Sequence, residues 1–110
     1  MTLTVTVTVG RNIGTVPLSA DNWESLQRRI RVALAYATTG TGETETHFGV
    51  GTWEGVTEKS AKITRYGTEW SKYTGLVWLR SELGEIARIY RQDAISLVTG
   101  EGEIIAPLAI

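Results

Sequence analysis

Side chains suited to binding a ligand are concentrated near one turn in the middle of the chain. Trp53, Glu58 and Ser60 fall within residues 53–60. An indole ring beside a carboxylate and a hydroxyl can hold a base or a sugar by stacking and hydrogen bonding. The alternative is structural, with Trp53 packed on a sheet and the two polar side chains satisfying turn amides. Both interpretations are open.

His47 precedes this turn and is the only histidine of the chain. With Glu45 two residues away on the same face of a strand, it could act as an acid or a base. On that strand Gly49 and Gly51 share the face of His47 and Trp53, so they leave a shallow space beside the indole. The pattern therefore adds His47 to the predicted ligand-binding residues.

Two other groups of polar residues complete the predicted ligand site. Tyr90, Arg91 and Gln92 end an amphipathic segment, where they could instead satisfy the free carbonyls of a helix terminus. Arg11 and Asn12 follow the first strand, where they could reach an anion or form a solvated turn. For both groups, a ligand-binding role and a structural role in the turn or helix end are compatible with the sequence.

The sequence contains no recognisable catalytic signature. Cysteine is absent, and there is no phosphate loop, dinucleotide-binding glycine pattern or nucleophile elbow. With one histidine, a His-rich metal site within one chain is excluded. We therefore predict a protein that is not an enzyme and that has no catalytic residues, metal or cofactor.

Aromatic residues mark a second candidate surface. Trp70, Tyr73 and Trp78 lie in or just after one polar loop, and exposed aromatic side chains are typical of interfaces. The alternative is a loop that folds back to cover the core. A basic cluster on the two predicted helices allows phosphate binding, although such spacing is also typical of a solvated helix face. Its members are Arg28, Arg29, Arg31, Arg88 and Arg91.

Size and charge limit the class of protein. The chain has 110 residues, enough for a single domain at 1–110, with 11 Lys plus Arg against 12 Asp plus Glu. This balance leaves no net positive charge that would favour generic binding to nucleic acid. No signal peptide or membrane-spanning run is visible, so we expect a cytoplasmic protein.

Hydrophobic periodicity predicts the elements that position these residues. Residues 2–9 alternate Thr with Leu or Val, which is typical of a strand covered on one face only. Helices are predicted at 21–37 and about 75–92, and strands at 45–53, 60–66 and 94–99. A short extra strand at 103–106 should end at Pro107.

This order predicts an α+β, ferredoxin-like βαββαβ domain, a four-stranded antiparallel sheet with two helices on one face. The aliphatic faces of the strands, including Phe48 and Val50, should meet the helices. The threonine face should remain uncovered.

Three patterns resemble an uncharacterised family of short bacterial and phage proteins with a predicted ferredoxin-like fold. They are Gly10-Arg11-Asn12 followed by Leu18-Ser19 and Trp23, Trp53-Glu54-Gly55 followed by Glu58 and Ser60, and Ile89-Tyr90-Arg91-Gln92-Asp93-Ala94-Ile95. That family more often has Glu where Asp93 stands. The resemblance implies the fold and a phage-type origin, and it implies no reaction.

These observations favour a small, non-enzymatic phage-type protein that forms a homo-oligomer and sequesters a nucleotide-derived signalling molecule. The alternative is a protein-interaction module that inhibits a host defence protein through the Trp70–Trp78 region. A third hypothesis is a small ferredoxin-like enzyme that uses His47 or Glu58. If phage-encoded, the protein would act in the host cytoplasm.

Overall fold

The computed structural model describes residues 3–39, 42–53, 55–99 and 103–109, and their side chains except those of 53, 67, 68 and 103–109. The helices are α1 (Ala20–Ala37) and α2 (Gly75–Ile89). The strands are β1 (Leu3–Gly10), β2 (Asn12–Ile13), β3 (Val16–Pro17), β4 (Thr38–Thr39), β5 (Thr44–Trp53), β6 (Val56–Trp70), β7 (Ala94–Thr99) and β8 (Glu103–Ala109).

The main sheet is antiparallel and runs in the order β5-β6-β1-β7-β8. Its first four strands, with α1 after β1 and α2 after β6, form the predicted βαββαβ arrangement. The α+β, ferredoxin-like prediction is confirmed. The short strands β2 and β3 pair only with each other.

The core lies between one face of the sheet and both helices. Val5, Val7 and Val9 are buried while the threonines between them are half-buried, so the alternation of β1 separates a covered face from an open one. The helices contribute their apolar stripes, as predicted. Their buried hydrophobic members are Trp23, Leu26, Ile30, Ala33, Leu34, Ala37, Leu79, Leu83, Ile86 and Ala87.

Local hydrogen bonds set the helix ends. Ser19 Oγ accepts from the backbone N–H of Asn22 at 3.2 Å, so Ser19 caps α1. Helix α2 was predicted to reach about 92 but ends at Ile89. Arg91 adopts a left-handed conformation with φ +57°, and the N–H of Gln92 donates to the Ala87 carbonyl at 2.8 Å. This closing turn replaces further helix.

Two strands are longer than the local pattern predicts. Strand β6 was expected at 60–66 but runs from Val56 to Trp70, since its start pairs with the end of β5 and its end pairs with β4 at Thr38 and Thr39. Strand β8 was expected to stop at Pro107. It continues to Ala109, and an irregularity between Ile95 and Leu97 on β7 absorbs the extra residue.

The prediction that the aliphatic side of every strand meets the helices is wrong at β5. Phe48 and Val50 face the helix side but are each 68% exposed. Strand β5 is the outermost strand beside β6, and the helices bury Ala61 and Ile63 on β6 without covering β5. No helix in the described part of the chain is long and apolar enough to cross a membrane.

Candidate functional site

A shallow trough crosses the open face of the sheet where two of three neighbouring positions are glycines. Gly49 on β5 pairs with Ser60 on β6, and Ser60 pairs with Gly10 on β1. Paired residues on neighbouring antiparallel strands share a face. The floor of this row therefore carries one hydroxyl between two glycines. A Cβ at Gly49 would lie 3.1 Å from Ser60 Oγ, so the hydroxyl fills the space that a larger residue would need.

The Glu58 carboxylate forms one end of the trough. It lies so close to Gly10 that a Cβ there would be 2.6 Å from the Glu58 carboxyl carbon. Oε2 of Glu58 accepts from the backbone N–H of Asn12 at 2.8 Å, and the Asn12 side chain donates to the Thr57 carbonyl at 3.3 Å. Within the described residues Oε1 has no hydrogen-bond partner. One oxygen is thus fixed and the other is available to a ligand.

His47 and Lys62 form the opposite end. These residues pair across β5 and β6, and Lys62 pairs in turn with Thr8. His47 Nε2 lies 3.1 Å from Glu45 Oε2, and both side chains are exposed. Four residues of β6 separate Lys62 from Glu58, which is about 13 Å along a strand. The trough therefore has the Glu58 carboxylate at one end and, at the other, Lys62 with the His47–Glu45 pair.

Gln92 supports the turn that holds Glu58. Its side chain is buried, and Nε2 donates to the carbonyls of Asn12 at 3.5 Å and Tyr90 at 3.4 Å. The Tyr90 hydroxyl lies 2.5 Å from Ser25 Oγ and so links the two helices. These contacts fit the structural interpretation of Tyr90 and Gln92. Arg91 is exposed.

Arg11 and Asn12 are adjacent but contact opposite sides of the sheet. Asn12 contacts Glu58 on the open face, whereas Arg11 borders Phe48 and Val50 on the helix side. The Nε of Arg11 donates to the Leu18 carbonyl at 2.8 Å, across the β2–β3 turn. The structure therefore groups Asn12, His47, Glu58 and Ser60 on one face and places Arg11 elsewhere. The Trp53 side chain lies outside the described part of the chain.

The three residues of the predicted aromatic surface differ in packing and exposure. Trp70 packs partly against the core, Tyr73 is 89% exposed, and Trp78 stacks against Tyr36 with ring centroids 5.7 Å apart. Trp70 therefore fits the core-covering alternative. Of these three residues only Tyr73 is largely open to solvent.

The basic cluster is partly neutralised on the helix surface. Arg28 lies 3.7 Å from Glu24, and Arg88 pairs with Glu85. The hydrogen bond from Arg88 lowers the pKa of the Glu85 carboxyl and raises that of the guanidinium. Both pairs fit a solvated helix face. The described residues contain no group of three or more His, Asp or Glu side chains able to hold a metal ion.

Comparison with known proteins gives two matches, both to solved structures. No family model and no curated protein matches the chain. A phage SAM lyase in complex with S-methyl-5'-thioadenosine is 18% identical with a TM-score of 0.58, covering 99% of this chain and 88% of that chain. A phage SAM lyase in the apo state is 18% identical with a TM-score of 0.57, covering 98% and 87%. At this identity the likeness shows the fold.

These matches contradict the prediction of a non-enzymatic sequestering protein and its alternative, an inhibitor of a host defence protein. Both solved structures that share the fold over nearly the whole chain are lyases. The phage-type origin gains support from them, while the resemblance to the uncharacterised family stays a prediction. In the sequence, Glu58 is a candidate ligand contact, a turn residue or, in the third hypothesis, a residue of a small enzyme. The sequence signal that could have distinguished Glu58 from other turn residues was Gly10, since that glycine at the end of β1 lies against the Glu58 carboxylate on the neighbouring strand β6.

Proposed function

We propose that this chain is an enzyme that cleaves S-adenosylmethionine (SAM) to S-methyl-5'-thioadenosine on the open face of its sheet. The observation that carries the proposal is the Glu58 carboxylate, held by the Asn12 N–H at the end of a glycine-floored trough. Support comes from the fold, which matches a phage SAM lyase with bound S-methyl-5'-thioadenosine over 99% of the chain.

The chemistry asks little of the protein beyond binding and orientation. The sulfonium of SAM is a leaving group, so breaking the bond between sulfur and Cγ of the amino-acid chain gives the electron pair to sulfur and releases S-methyl-5'-thioadenosine. A lyase adds no water. As the S–Cγ bond breaks, either the substrate's own carboxylate attacks Cγ and gives homoserine lactone, or a base takes a Cβ proton and gives vinylglycine.

Glu58 is the residue with the clearest role in this reaction. Its charge attracts the cationic substrate, and its free Oε1 can accept a hydrogen bond from a ribose hydroxyl or the substrate ammonium. Asn12 positions the carboxylate, and the Ser60 hydroxyl offers a polar contact on the floor. His47 lies at the far end, about 13 Å away, where it can contact the other end of an extended substrate.

The test is formation of S-methyl-5'-thioadenosine from SAM, followed by chromatography and mass spectrometry. Glu58→Gln keeps the size of the side chain but removes its charge, so we expect a loss of about 100-fold or more in rate. Glu24→Gln is the matched control, because Glu24 is exposed on α1, where its carboxylate pairs with Arg28. Proton NMR of the second product distinguishes the vinyl group from the lactone.

Either of two results would contradict the proposal. The first is a wild-type protein that releases no S-methyl-5'-thioadenosine from SAM. The second is a Glu58→Gln variant as active as Glu24→Gln. Circular dichroism of both variants shows whether a loss of activity reflects unfolding.

We also propose that the chain forms the homo-oligomer expected from the sequence, that it does so through the open threonine face, and that it acts in the cytoplasm. A second copy over this face would shield the trough from water, which suits a reaction that adds none. Native mass spectrometry should show an oligomer that Thr8→Arg shifts towards monomer. Val32→Arg, on the exposed surface of α1, should leave it unchanged. A wild-type protein that stays monomeric would refute this assembly.

A further inference from the structure

The helix side of the sheet has a second concave surface, here called the Phe48 bay. Phe48, Gly49 and Val50 form its floor, Trp23 its wall, and Arg11 and Lys59 its rim. Its volume is about 390 Å³. Because Phe48 and Val50 pair with Ala61 and Lys59, the bay lies on the face opposite Glu58.

The floor of the bay is apolar but open. Phe48 and Val50 are each 68% exposed, although Ala61 and Ile63 on the same face of β6 are fully buried. Trp23 is 8% exposed and closes the bay on the side of α1. Adjacent exposed apolar side chains of this kind mark binding sites more often than scattered ones do. The exposed ring of Phe48 offers a flat surface for an aromatic ligand.

Both charged residues of the bay are cations without acidic partners. Within the described part of the chain the Lys59 ammonium makes no ion pair. Arg11 uses Nε for the Leu18 carbonyl, and its terminal nitrogens have no described partner. Arg28 and Arg88 differ, since each pairs with a glutamate. The rim of the bay is therefore complementary to an oxyanion.

The size of the bay favours a small molecule over a second protein. Pockets of about 300–1,000 Å³ are typical of small-molecule sites, whereas a stable protein interface uses about 20–30 residues on each side. The bay has six lining residues and about 390 Å³. We propose that the Phe48 bay binds a small organic anion with an aromatic body, separately from the trough on the other face.

Indole-3-acetate and its neutral isostere indole-3-acetamide are suitable probes, because they differ mainly in charge. With isotope-labelled protein, indole-3-acetate should cause saturable NMR shifts at the Gly49 and Val50 amides and the Trp23 indole N–H. The amide should bind at least about tenfold more weakly, since the charge-assisted contact is lost. Lys59→Met should weaken acetate binding by a similar factor. Lys62→Met is the matched control, because it removes the same charge from the opposite face of β6.

Three results of the titration would overturn the proposal. They are no saturable shift at millimolar indole-3-acetate, equal binding of acid and amide, and equal effects of Lys59→Met and Lys62→Met. A second copy on the bay would appear as an oligomer that Phe48→Ala dissociates, and this also overturns it. SAM cleavage is measured separately, so failure of either proposal leaves the other testable.

Discussion

The contact between Glu58 and Gly10 leaves no room for a larger residue at this end of the trough floor. The carboxylate occupies the space where any other residue at position 10 would place its Cβ. Its hydrogen bond to the Asn12 N–H holds it there. Glycine is therefore needed at position 10 for close approach and not for backbone conformation.

Gly10→Ala should reduce SAM cleavage without unfolding the protein. The new methyl group would lie 2.6 Å from the carboxyl carbon, so the flexible end of Glu58 must move away from Asn12. We expect a loss of about tenfold or more in rate, because displacement of a binding group by about 1 Å is costly. The melting temperature should change little. Gly84→Ala, with open space around it in α2, is the control for activity. Equal rates in the two variants would show that the position of Glu58 does not matter.

The site could be predicted from the sequence only in part. Strand alternation correctly placed His47, Gly49 and Gly51 on one face, because that information is local. The contact of Asn12 with Glu58, 46 residues away, depends on the pairing of β1 with β6. Because Arg11 and Asn12 are adjacent in the sequence, both were predicted to bind one ligand. Asn12 contacts Glu58 on the open face, but Arg11 lies on the helix side of the sheet.

Among the secondary-structure elements, the turn that follows α2 places Arg91 in a backbone conformation that arginine does not favour. Arg91 has φ +57°, a region that costs residues with a Cβ and is typical of glycine after a helix. The hydrogen bonds from Arg91 N–H to Arg88 and from Gln92 N–H to Ala87 keep it there. The turn then directs Gln92 towards Asn12.

Arg91→Gly should therefore stabilise the fold by about 1 kcal/mol. Urea denaturation measures this as a higher midpoint with an unchanged slope. Arg31→Gly, inside α1, removes the same side chain where the backbone is helical, and should destabilise by about 1 kcal/mol. If both variants lose stability equally, the conformation of Arg91 is not strained.

Helices were easier to predict than strand lengths. The apolar spacing of Trp23 to Ala37 and of Leu76 to Tyr90 is visible within each segment, and both helices form as expected. The extension of β6 to Trp70 depends on Thr38 and Thr39, some thirty residues away. The continuation of β8 past Pro107 depends on β7. The local pattern of β6 does not show Thr38 and Thr39, and the expected stop of β8 at Pro107 did not allow for an edge strand, which tolerates a proline.

At the scale of the whole molecule, the sheet separates two surfaces of different character. The open face carries threonine, glycine and the Glu58 carboxylate, while the helix side ends in the uncovered Phe48 bay. The likeness to two phage SAM lyases runs over nearly the whole chain, so it concerns the arrangement that creates both surfaces. The activity assay and the NMR titration address the two surfaces independently.

Pro107 has a consequence for the behaviour of the protein in concentrated solution. Strand β8 forms the outer border of the sheet beyond β7, and a proline within it lacks the amide hydrogen that an incoming strand would need. The irregular pairing around it further breaks the regular spacing of donors and acceptors. This border is consequently a poor template for fibril growth, which leaves the molecule better protected against aggregation there than a continuous strand would.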